Sequence, residues 1–267
     1  GVRSERAISD LPKNSSIEPV IIDYDNDSSL EDALLGTDFV IHLAGILIET
    51  KHSNYASANV GATAAVVEAA MKSGTKNLIF ISVVGADPES KNAYFRSKGA
   101  AETLIIDSGL GSSILRTPIL FGPSAAGSQA VIGMVSSGQA KLLGGGHYQM
   151  RPLDIDDLSE ALVKLCLNPK EGQSTYELVG PESASYRDII AKTAELMDKT
   201  VTFGSIPIFV AKIGAAVTSI LKGGGITPTV IEVITQDEVV KTNADSAIGI
   251  TLTPLRETLK KMTTPGE

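Results

Sequence analysis

Short apolar runs alternate with helical stretches along the first two thirds of the chain. The runs are bounded by polar residues or glycine, which is typical of strands covered on both faces of a parallel sheet. They predict strands at residues 20–22, 39–43, 78–81, 114–115 and 175–179. Strands that alternate with helices in this way predict an α/β fold with one doubly wound parallel sheet.

Helical patterns fill the gaps between the predicted strands. Ser28 and Ser29 are expected to cap the first helix, because a hydroxyl oxygen can accept a hydrogen bond from a free backbone N–H group. Further helices are predicted over residues 54–73, 93–108 and about 156–167, and from Tyr186 and Pro207 onward. We interpret the apolar segment 206–221 as a packed or lid helix, with a helix lying in a membrane interface as the alternative.

The pattern loosens after Gly122, where glycine clusters interrupt it. One of these clusters, Gly144 to Gly146, neither follows a predicted buried strand nor opens a predicted helix. We therefore divide the chain into residues 1–122, which carry most of the sheet, and residues 123–267. The second part is expected to add the remaining strands and a small α-rich lobe, interleaved with the first part because no flexible linker separates them.

Composition excludes several classes of function. The 267 residues carry a net charge of −8, which argues against nucleic acid as a partner because phosphate binding depends on clustered Lys and Arg. The single cysteine allows no internal disulfide, and three scattered histidines provide no zinc-binding spacing. No secretory signal or spanning apolar run is recognised, so we expect a cytoplasmic protein, with peripheral contact to a membrane as an alternative.

The candidate chemistry centres on Tyr94 and Lys98. Residues four apart lie on one face of a helix, so the ammonium group is expected close to the phenol. A nearby positive charge favours the phenolate, and we therefore expect the pKa of Tyr94 to be lowered. A phenol with a lowered pKa could exchange a proton with a carbonyl or an alcohol.

The order of motifs around this pair is similar to that of the extended and atypical short-chain dehydrogenase/reductases. The resemblance covers nearly the whole chain. Asn59, Ser82, Tyr94 and Lys98 occur in the family's order. The supporting segments are Ile41-His42-Leu43-Ala44-Gly45, Asn59-Val60 followed by Thr63, Arg116-Thr117-Pro118, Phe121-Gly122-Pro123 and Pro152-Leu153-Asp154-Ile155-Asp156-Asp157.

This resemblance implies a Rossmann-type core that binds a nicotinamide dinucleotide, with Tyr94, Lys98, Ser82 and Asn59 as the catalytic set. Residues 1–122 would form that core. The residues that it assigns to the cofactor are Arg3, Asp23, Leu43, Ala44, Gly45, Lys98 and Pro118. Arg3 favours NADP(H) over NAD(H), because a guanidinium can pair with the 2′-phosphate where NAD enzymes commonly place an acid.

The sequence departs from the family's pattern at two places. It contains no strand followed by a G-x-G-x-x-G turn and a helix, so we expect the first β-α unit, about 30 residues, to lie upstream. Val83 stands where active extended members usually carry the catalytic hydroxyl, if Ser82 is the first serine of their pattern. The 82–94 loop is more similar to an atypical subgroup that includes the nucleotide-binding accessory subunit of respiratory complex I.

Two functions therefore remain open. The first is an NAD(P)H-dependent oxidoreductase acting through Tyr94 and Lys98 on an unidentified small substrate, for which an apolar compound is one candidate. The second is a structural or redox-sensing protein that binds the dinucleotide without turnover, in association with a respiratory complex or a membrane. A sugar-nucleotide epimerase ranks third, because the C-terminal part shows no uridine-binding signature.

Other reactive side chains receive structural interpretations, and no metal site is expected. Cys166 lies between leucines in a predicted helix and is interpreted as a core residue. Asp156 or Asp157 is expected to cap the helix that starts there. Asp237 and Glu238 are interpreted as part of a solvated helix face.

Overall fold

Four parallel strands form the main sheet of the computed structural model, which describes residues 1–24, 26–169, 171–222 and 224–264. In spatial order they are β1 (Phe39–His42), β2 (Asn77–Val83), β3 (Gly111–Thr117) and β8 (Gln173–Glu177). Most residues of β2 and β3 are buried, as expected of central strands covered on both faces. The predicted parallel α/β fold is confirmed.

Helices cover both faces of this sheet. On one face, Phe80 and Ile114 pack with α2 (Asp27–Leu34), α3 (Ala62–Ser73) and α4 (Ala93–Asp107). On the other face, Ile79 and Leu115 pack with α6 (Ile155–Leu167). Successive residues of a strand point to opposite faces, so one continuous apolar run supplies two separate cores.

The first predicted strand is reduced to a single parallel bridge. Val2 pairs with Ile21: the Val2 N–H donates to the Val20 carbonyl at 2.9 Å, and the Ile22 N–H donates to the Val2 carbonyl at 2.9 Å. The described strand order begins with β1, so this pair is not hydrogen-bonded to the main sheet. A pair of short strands without a further partner is marginal, which explains why regular pairing does not extend along residues 20–22.

A second apolar core lies in the C-terminal part of the chain. It is formed by α5 (Ala126–Ser137), α7 (Tyr186–Leu196) and α11 (Leu255–Thr263) together with residues of β5 (Gln139–Leu143). Gly144–Gly146 form a 3₁₀ turn after β5, a half-buried strand that the sequence did not predict. Alternate residues of β5 are buried, a weaker sequence signal than a continuous apolar run.

Short elements complete the fold. Three small two-stranded sheets accompany the main sheet. Residues 202–206 pair with β5 and residues 120–121 with 153–154, both in parallel, and residues 149–150 pair with 184–185 antiparallel. None of the helices in the described ranges combines the length and apolar character needed to cross a membrane. The remaining elements are α1 (Glu5–Ser9), a π-helix (Ala56–Gly61), β4 (Leu120–Phe121), β6 (Gln149–Met150), β7 (Leu153–Asp154), β9 (Ala184–Ser185), β10 (Thr202–Ile206), α8 (Ile208–Lys222), α9 (Pro228–Ile234) and α10 (Asp245–Ile248).

Two helix caps differ from the sequence prediction. Ser28 and Ser29 lie inside α2, whose N-cap position is Asn26. The cap of α6 is Asp154, whose carboxylate accepts the Asp156 N–H at 2.9 Å. Asp157 instead accepts hydrogen bonds from the backbone N–H and the hydroxyl of Thr253, each at 2.7 Å. The local sequence does not indicate that Asp157 bonds Thr253, which lies 96 residues later. The predicted caps of α6, Asp156 and Asp157, are therefore two and three residues after the observed cap, Asp154.

Candidate functional site

The candidate site lies at the carboxyl edge of the parallel sheet. β1, β2 and β3 end at His42, Val83 and Thr117, and the segments that follow carry many of the residues singled out from the sequence. Parallel strands that end at one edge leave a crevice there, which is where open α/β sheets bind their ligands. Arg3 and Asp23 follow the Val2–Ile21 bridge, which lies near this edge because the ring of Tyr24 meets the ring of His42 at 6.4 Å.

Lys98 is buried against the end of β2. Asn92 caps α4 by accepting the N–H groups of Tyr94 and Phe95, which directs the first turn of the helix over the sheet edge. The Lys98 ammonium donates to the Ile81 carbonyl at 2.8 Å and lies 4.1 Å from the centre of the Phe80 ring. Burial lowers the pKa of Lys98 to about 8, opposed by the charge of Glu102.

Asn59 ties the loop after β1 to α4. Its side-chain oxygen accepts the Ile46 N–H at 2.7 Å, and its amide donates to the Ile46 carbonyl at 3.1 Å and to the Ser97 hydroxyl at 2.9 Å. Asn59 lies within the π-helix Ala56–Gly61 and is almost completely buried. Such π-helical turns are frequent at functional sites.

His42 extends this network into the core, a role that the sequence analysis did not identify. Its Nε2 atom lies 3.1 Å from the Thr63 hydroxyl, which itself donates to the Asn59 carbonyl at 2.7 Å. A hydroxyl has one proton, so His42 is the donor to Thr63. Its ring stacks on Phe80, and burial, assisted by the charge of Lys98, lowers the pKa of His42 to about 4.

Tyr94 does not have the lowered pKa that its spacing from Lys98 suggested. Burial, followed by the influence of Tyr55, raises the pKa of Tyr94 to about 12. The two tyrosine rings lie 5.8 Å apart, and the Tyr55 hydroxyl donates to the Leu47 carbonyl at 2.7 Å. The expected lowering is wrong for this structure, because desolvation dominates and the Lys98 ammonium is bonded to the Ile81 carbonyl.

A cavity of about 530 Å³ opens beside Tyr94. Most of its wall is apolar, and the side nearest the sheet is formed by Val83, Val84 and Pro118. Tyr148 and Tyr186 form another part of the wall, with stacked rings 5.8 Å apart. A cavity of this size and character is suited to a small apolar molecule.

Asp237 and Glu238 also line this cavity, and their interpretation as a solvated helix face is wrong. α9 ends at Ile234, and both acids lie beyond it in an irregular segment. The Glu238 carboxylate accepts the Arg151 N–H at 2.6 Å, and the Asp237 carboxylate accepts the Gln149 N–H at 2.7 Å. Burial raises the pKa of Glu238, against the hydrogen bonds from the Arg151 and Ile119 backbone and the charge of Arg151.

Ser82 and Val83 point in different directions at the end of β2. The Ser82 hydroxyl is buried and has no hydrogen-bond partner among the described residues, whereas Val83 lines the cavity. This difference follows from the alternation of side chains along a strand.

The loop after β1 brings the remaining predicted residues together. Leu43 is two-thirds exposed, Ala44 is partly buried and Gly45 is exposed at the carboxyl edge. At the neighbouring bridge, the positive charge of Arg3 acts to lower the pKa of Tyr24, although burial of that phenol raises it overall. The Tyr24 ring meets the His42 ring edge to face at 6.4 Å, which connects this bridge to the network around Asn59.

The residues at this edge fit the nicotinamide half of a dinucleotide. A Cβ atom added to Gly45 would lie 3.2 Å from the Asn59 side-chain oxygen and 3.7 Å from the Lys98 ammonium, so only glycine leaves this space clear. A ligand there could meet a backbone segment, an ammonium donor and the phenol of Tyr94. No group of three or more His, Cys, Asp or Glu residues suited to a metal ion occurs among the described residues.

Comparison with known proteins adds independent findings. A family model described as NAD(P)H-binding matches residues 1–141, more than half of the chain. The chain is 23% identical over 184 residues to the mitochondrial NADH-ubiquinone oxidoreductase 40 kDa subunit of Neurospora crassa, covering 68% of this chain and 47% of that protein. It spans about half the length of such curated relatives.

Two solved structures share the fold over nearly all of the chain. The Citrobacter sp. triphenylmethane reductase complexed with NADP(H) has a TM-score of 0.73 and 21% identity, covering 97% of this chain and 88% of that one. The UDP-glucuronic acid 4-epimerase of Bacillus cereus in complex with NAD has a TM-score of 0.73 and 20% identity, covering 96% and 82%.

Proposed function

Since this chain belongs to the NAD(P)H-binding family, in line with its resemblance to the atypical short-chain dehydrogenase/reductases, we propose that it is an oxidoreductase that reduces a carbonyl compound. One observation carries the proposal. The cavity-lining Tyr94 lies four residues before Lys98, a buried lysine whose pKa is lowered to about 8. A proton donor thereby lies in the wall of a cavity suited to an apolar substrate, and the buried Lys98 follows four residues later on the same helix.

The cofactor would be held along the carboxyl edge of the sheet. Gly45 and its neighbours Leu43 and Ala44 would contact the dinucleotide through their backbone, Lys98 would bond the ribose hydroxyls and Pro118 would lie beside the nicotinamide. Asp23 would contact the adenine amino group. When bound, the reduced dinucleotide supplies a hydride.

Tyr94 is the proton donor in this proposal. With a pKa raised to about 12, its phenol stays protonated at neutral pH, which suits donation in the direction of reduction. As the substrate carbon gains the hydride and its C=O double bond becomes single, the oxygen takes the Tyr94 proton.

Asn59 and Ser82 have less direct roles. The Asn59 side chain is hydrogen-bonded to the Ile46 backbone and to the Ser97 hydroxyl, so it positions the loop that carries Gly45. Ser82 supplies a buried hydroxyl without a partner among the described residues, and Val83 rather than Ser82 borders the substrate space. The proton transfer is therefore assigned to Tyr94 without a second hydroxyl.

Arg3 favours NADP(H) over NAD(H). It follows the Val2–Ile21 bridge and lies close enough to Tyr24 to act on the pKa of that phenol, and its guanidinium is suited to bidentate recognition of a 2′-phosphate. Replacing it by alanine should weaken NADPH binding more than NADH binding. Equal weakening of both would remove Arg3 from this role.

Titration with NADPH and NADH, followed by a carbonyl-substrate turnover screen, tests the proposed reaction. Tyr94→Phe should retain cofactor binding and lose about 10²- to 10⁴-fold in turnover, the usual contribution of a positioned acid. Tyr55→Phe is the matched control, because it removes a neighbouring hydroxyl that is bonded to the Leu47 carbonyl. Turnover of Tyr94→Phe equal to that of the control would refute the assignment.

A second candidate is a dinucleotide-binding subunit without turnover, supporting a respiratory complex or a membrane-associated assembly. Val83 in the substrate wall favours it, because no hydroxyl replaces the one that active extended relatives carry there. The similarity to the NADH-ubiquinone oxidoreductase 40 kDa subunit also favours this candidate. Tight NADPH binding with no turnover by any carbonyl compound would support this candidate over the first.

A further inference from the structure

The charged side chains that line the cavity are acidic. Among the described residues that line it, none is Lys, Arg or His, whereas Asp237 and Glu238 both are part of the wall. The rest is mainly apolar, with Tyr94, Tyr148 and Tyr186 as polar-tipped aromatic side chains. An anion in such a wall would lose its hydration without gaining a cationic partner.

Glu238 is fixed in this wall. Its carboxylate accepts the Arg151 N–H at 2.6 Å and also bonds the Ile119 backbone, while its own N–H donates to the Gln149 carbonyl at 2.9 Å. Glu238 therefore joins three segments that border the cavity, and it cannot swing away from an incoming anion without breaking these bonds.

The guanidinium of Arg151, the residue after the cavity-lining Met150, points away from the cavity towards backbone carbonyls. Arg151 donates from Nε to the Gly180 carbonyl at 2.9 Å and from Nη2 to the Pro181 carbonyl at 3.3 Å. Its charge acts on Glu238, yet Arg151 is not among the residues that line the cavity. An anionic ligand would therefore meet the Glu238 carboxylate before it met this cation.

We propose that this cavity takes uncharged or cationic apolar compounds and rejects anionic ones, with Glu238 as a specificity-determining residue. The proposal rests on the oxidoreductase function for the identity of the substrate as a carbonyl compound. It separates this chain from proteins that act on sugar nucleotides, because a nucleoside diphosphate would place its charges in a wall without cations. Asp237 contributes from the more exposed end of the same segment.

Two dyes with one skeleton test the charge preference directly. N-phenyl-1-naphthylamine is uncharged, and 8-anilino-1-naphthalenesulfonate differs from it by one sulfonate; both become fluorescent in apolar surroundings. Titration at about pH 8 favours the ionised form of Glu238, whose pKa is raised by burial. We expect the uncharged dye to bind at least about tenfold more tightly, as for an anion placed near a partly desolvated carboxylate. Equal affinities for the two dyes would overturn the proposal.

Matched variants distinguish the effect of the Glu238 charge on dye affinity from a general preference of the cavity for uncharged dyes. Glu238→Gln should tighten the sulfonated dye about three- to tenfold and leave the uncharged dye nearly unchanged. Glu257→Gln makes the same charge change on an exposed helix face, where Glu257 pairs with Lys260, and should change neither affinity. An equal effect of the two variants would overturn the role of Glu238.

Two further variants keep the test decisive. Ile234→Trp adds bulk to the cavity wall and should weaken both dyes, which verifies where they bind. If Glu238→Gln fails to fold, Asp237→Asn should tighten the sulfonated dye in the same direction, and no tightening would count against the proposal. Dye binding requires neither cofactor nor turnover, so this test can succeed or fail independently of the oxidoreductase assignment.

Discussion

Replacing Asn59 by alanine should destabilise the protein through the loss of three hydrogen bonds in a nearly closed space. The side chain is 1% exposed and bonds the Ile46 N–H, the Ile46 carbonyl and the Ser97 hydroxyl. Ser97 retains a second bond, because its hydroxyl donates to the Tyr94 carbonyl at 2.7 Å. Ile46 loses two partners at once and is therefore the residue most affected.

The magnitude follows from these partners. A net loss of about 0.5–1.5 kcal/mol per hydrogen bond gives a gross range of about 1.5–4.5 kcal/mol. Water can reach part of the loop, since Ile46 is only partly buried, so we expect the free energy of unfolding to fall by about 2–4 kcal/mol. Urea unfolding should show a lower midpoint with an unchanged m-value.

Ser57→Ala provides the control within the same π-helix. Ser57 is exposed, and within the described part of the chain its hydroxyl exchanges hydrogen bonds only with the neighbouring Asn54 backbone. We expect this substitution to change the free energy of unfolding by less than about 0.5 kcal/mol. A loss below about 1 kcal/mol for Asn59→Ala would refute the reasoning, because three bonds of ordinary strength could not then be present.

Two further substitutions test the core around the site. The pKa of His42 is lowered from 6.5 to about 4, so the unfolded chain binds more protons between these values and stability falls as pH drops from 6.5 to 4. His42→Gln should remove this dependence in urea titrations, whereas the exposed His52→Gln should retain it; identical profiles would exclude His42 as the cause. A Cβ on Gly99 would collide with the backbone of Asp87 and Pro88, so Gly99→Ala should lower the thermal midpoint by several degrees or more. Gly133→Ala, with open space around it in a helix, should instead be neutral or stabilising by up to about 1 kcal/mol, and equal shifts would contradict the packing of α4.

The parallel sheet could be predicted because its strands are continuous apolar runs. The predicted segments 39–43, 78–81 and 114–115 correspond to β1, β2 and β3, with bounds that differ by up to three residues at one end. Strand ends carry polar residues such as Ser112 and Thr117, which are buried only because neighbouring strands and helices cover them. Residues 20–22 have the same apolar pattern, yet pairing there depends on a neighbour that the local pattern does not specify.

The helix that carries Tyr94 and Lys98 could be predicted more accurately than the electrostatics of the candidate site. The spacing of Tyr94 and Lys98 placed both on α4, but the direction of the Tyr94 pKa depends on burial against Tyr55 and the cavity. The place of Glu238 in the cavity wall could not be predicted, because its partner Arg151 lies 87 residues earlier in the chain. No helical or strand periodicity carries information about such a contact, since it arises only when the C-terminal segment folds over the sheet edge.

Because of the π-helix Ala56–Gly61, the contacts of the candidate site depend on the number of residues in this segment. A π-helical turn contains one residue more than an α-helical turn. Deleting one residue there would let the turn close as an α-helix and rotate the preceding residues by about 100° relative to α3. Thr63, beyond the turn, would keep its contact with His42, whereas Tyr55, before it, would leave the Tyr94 ring. A single deletion at this turn would therefore change which side chain packs on Tyr94 without altering any residue of the sheet.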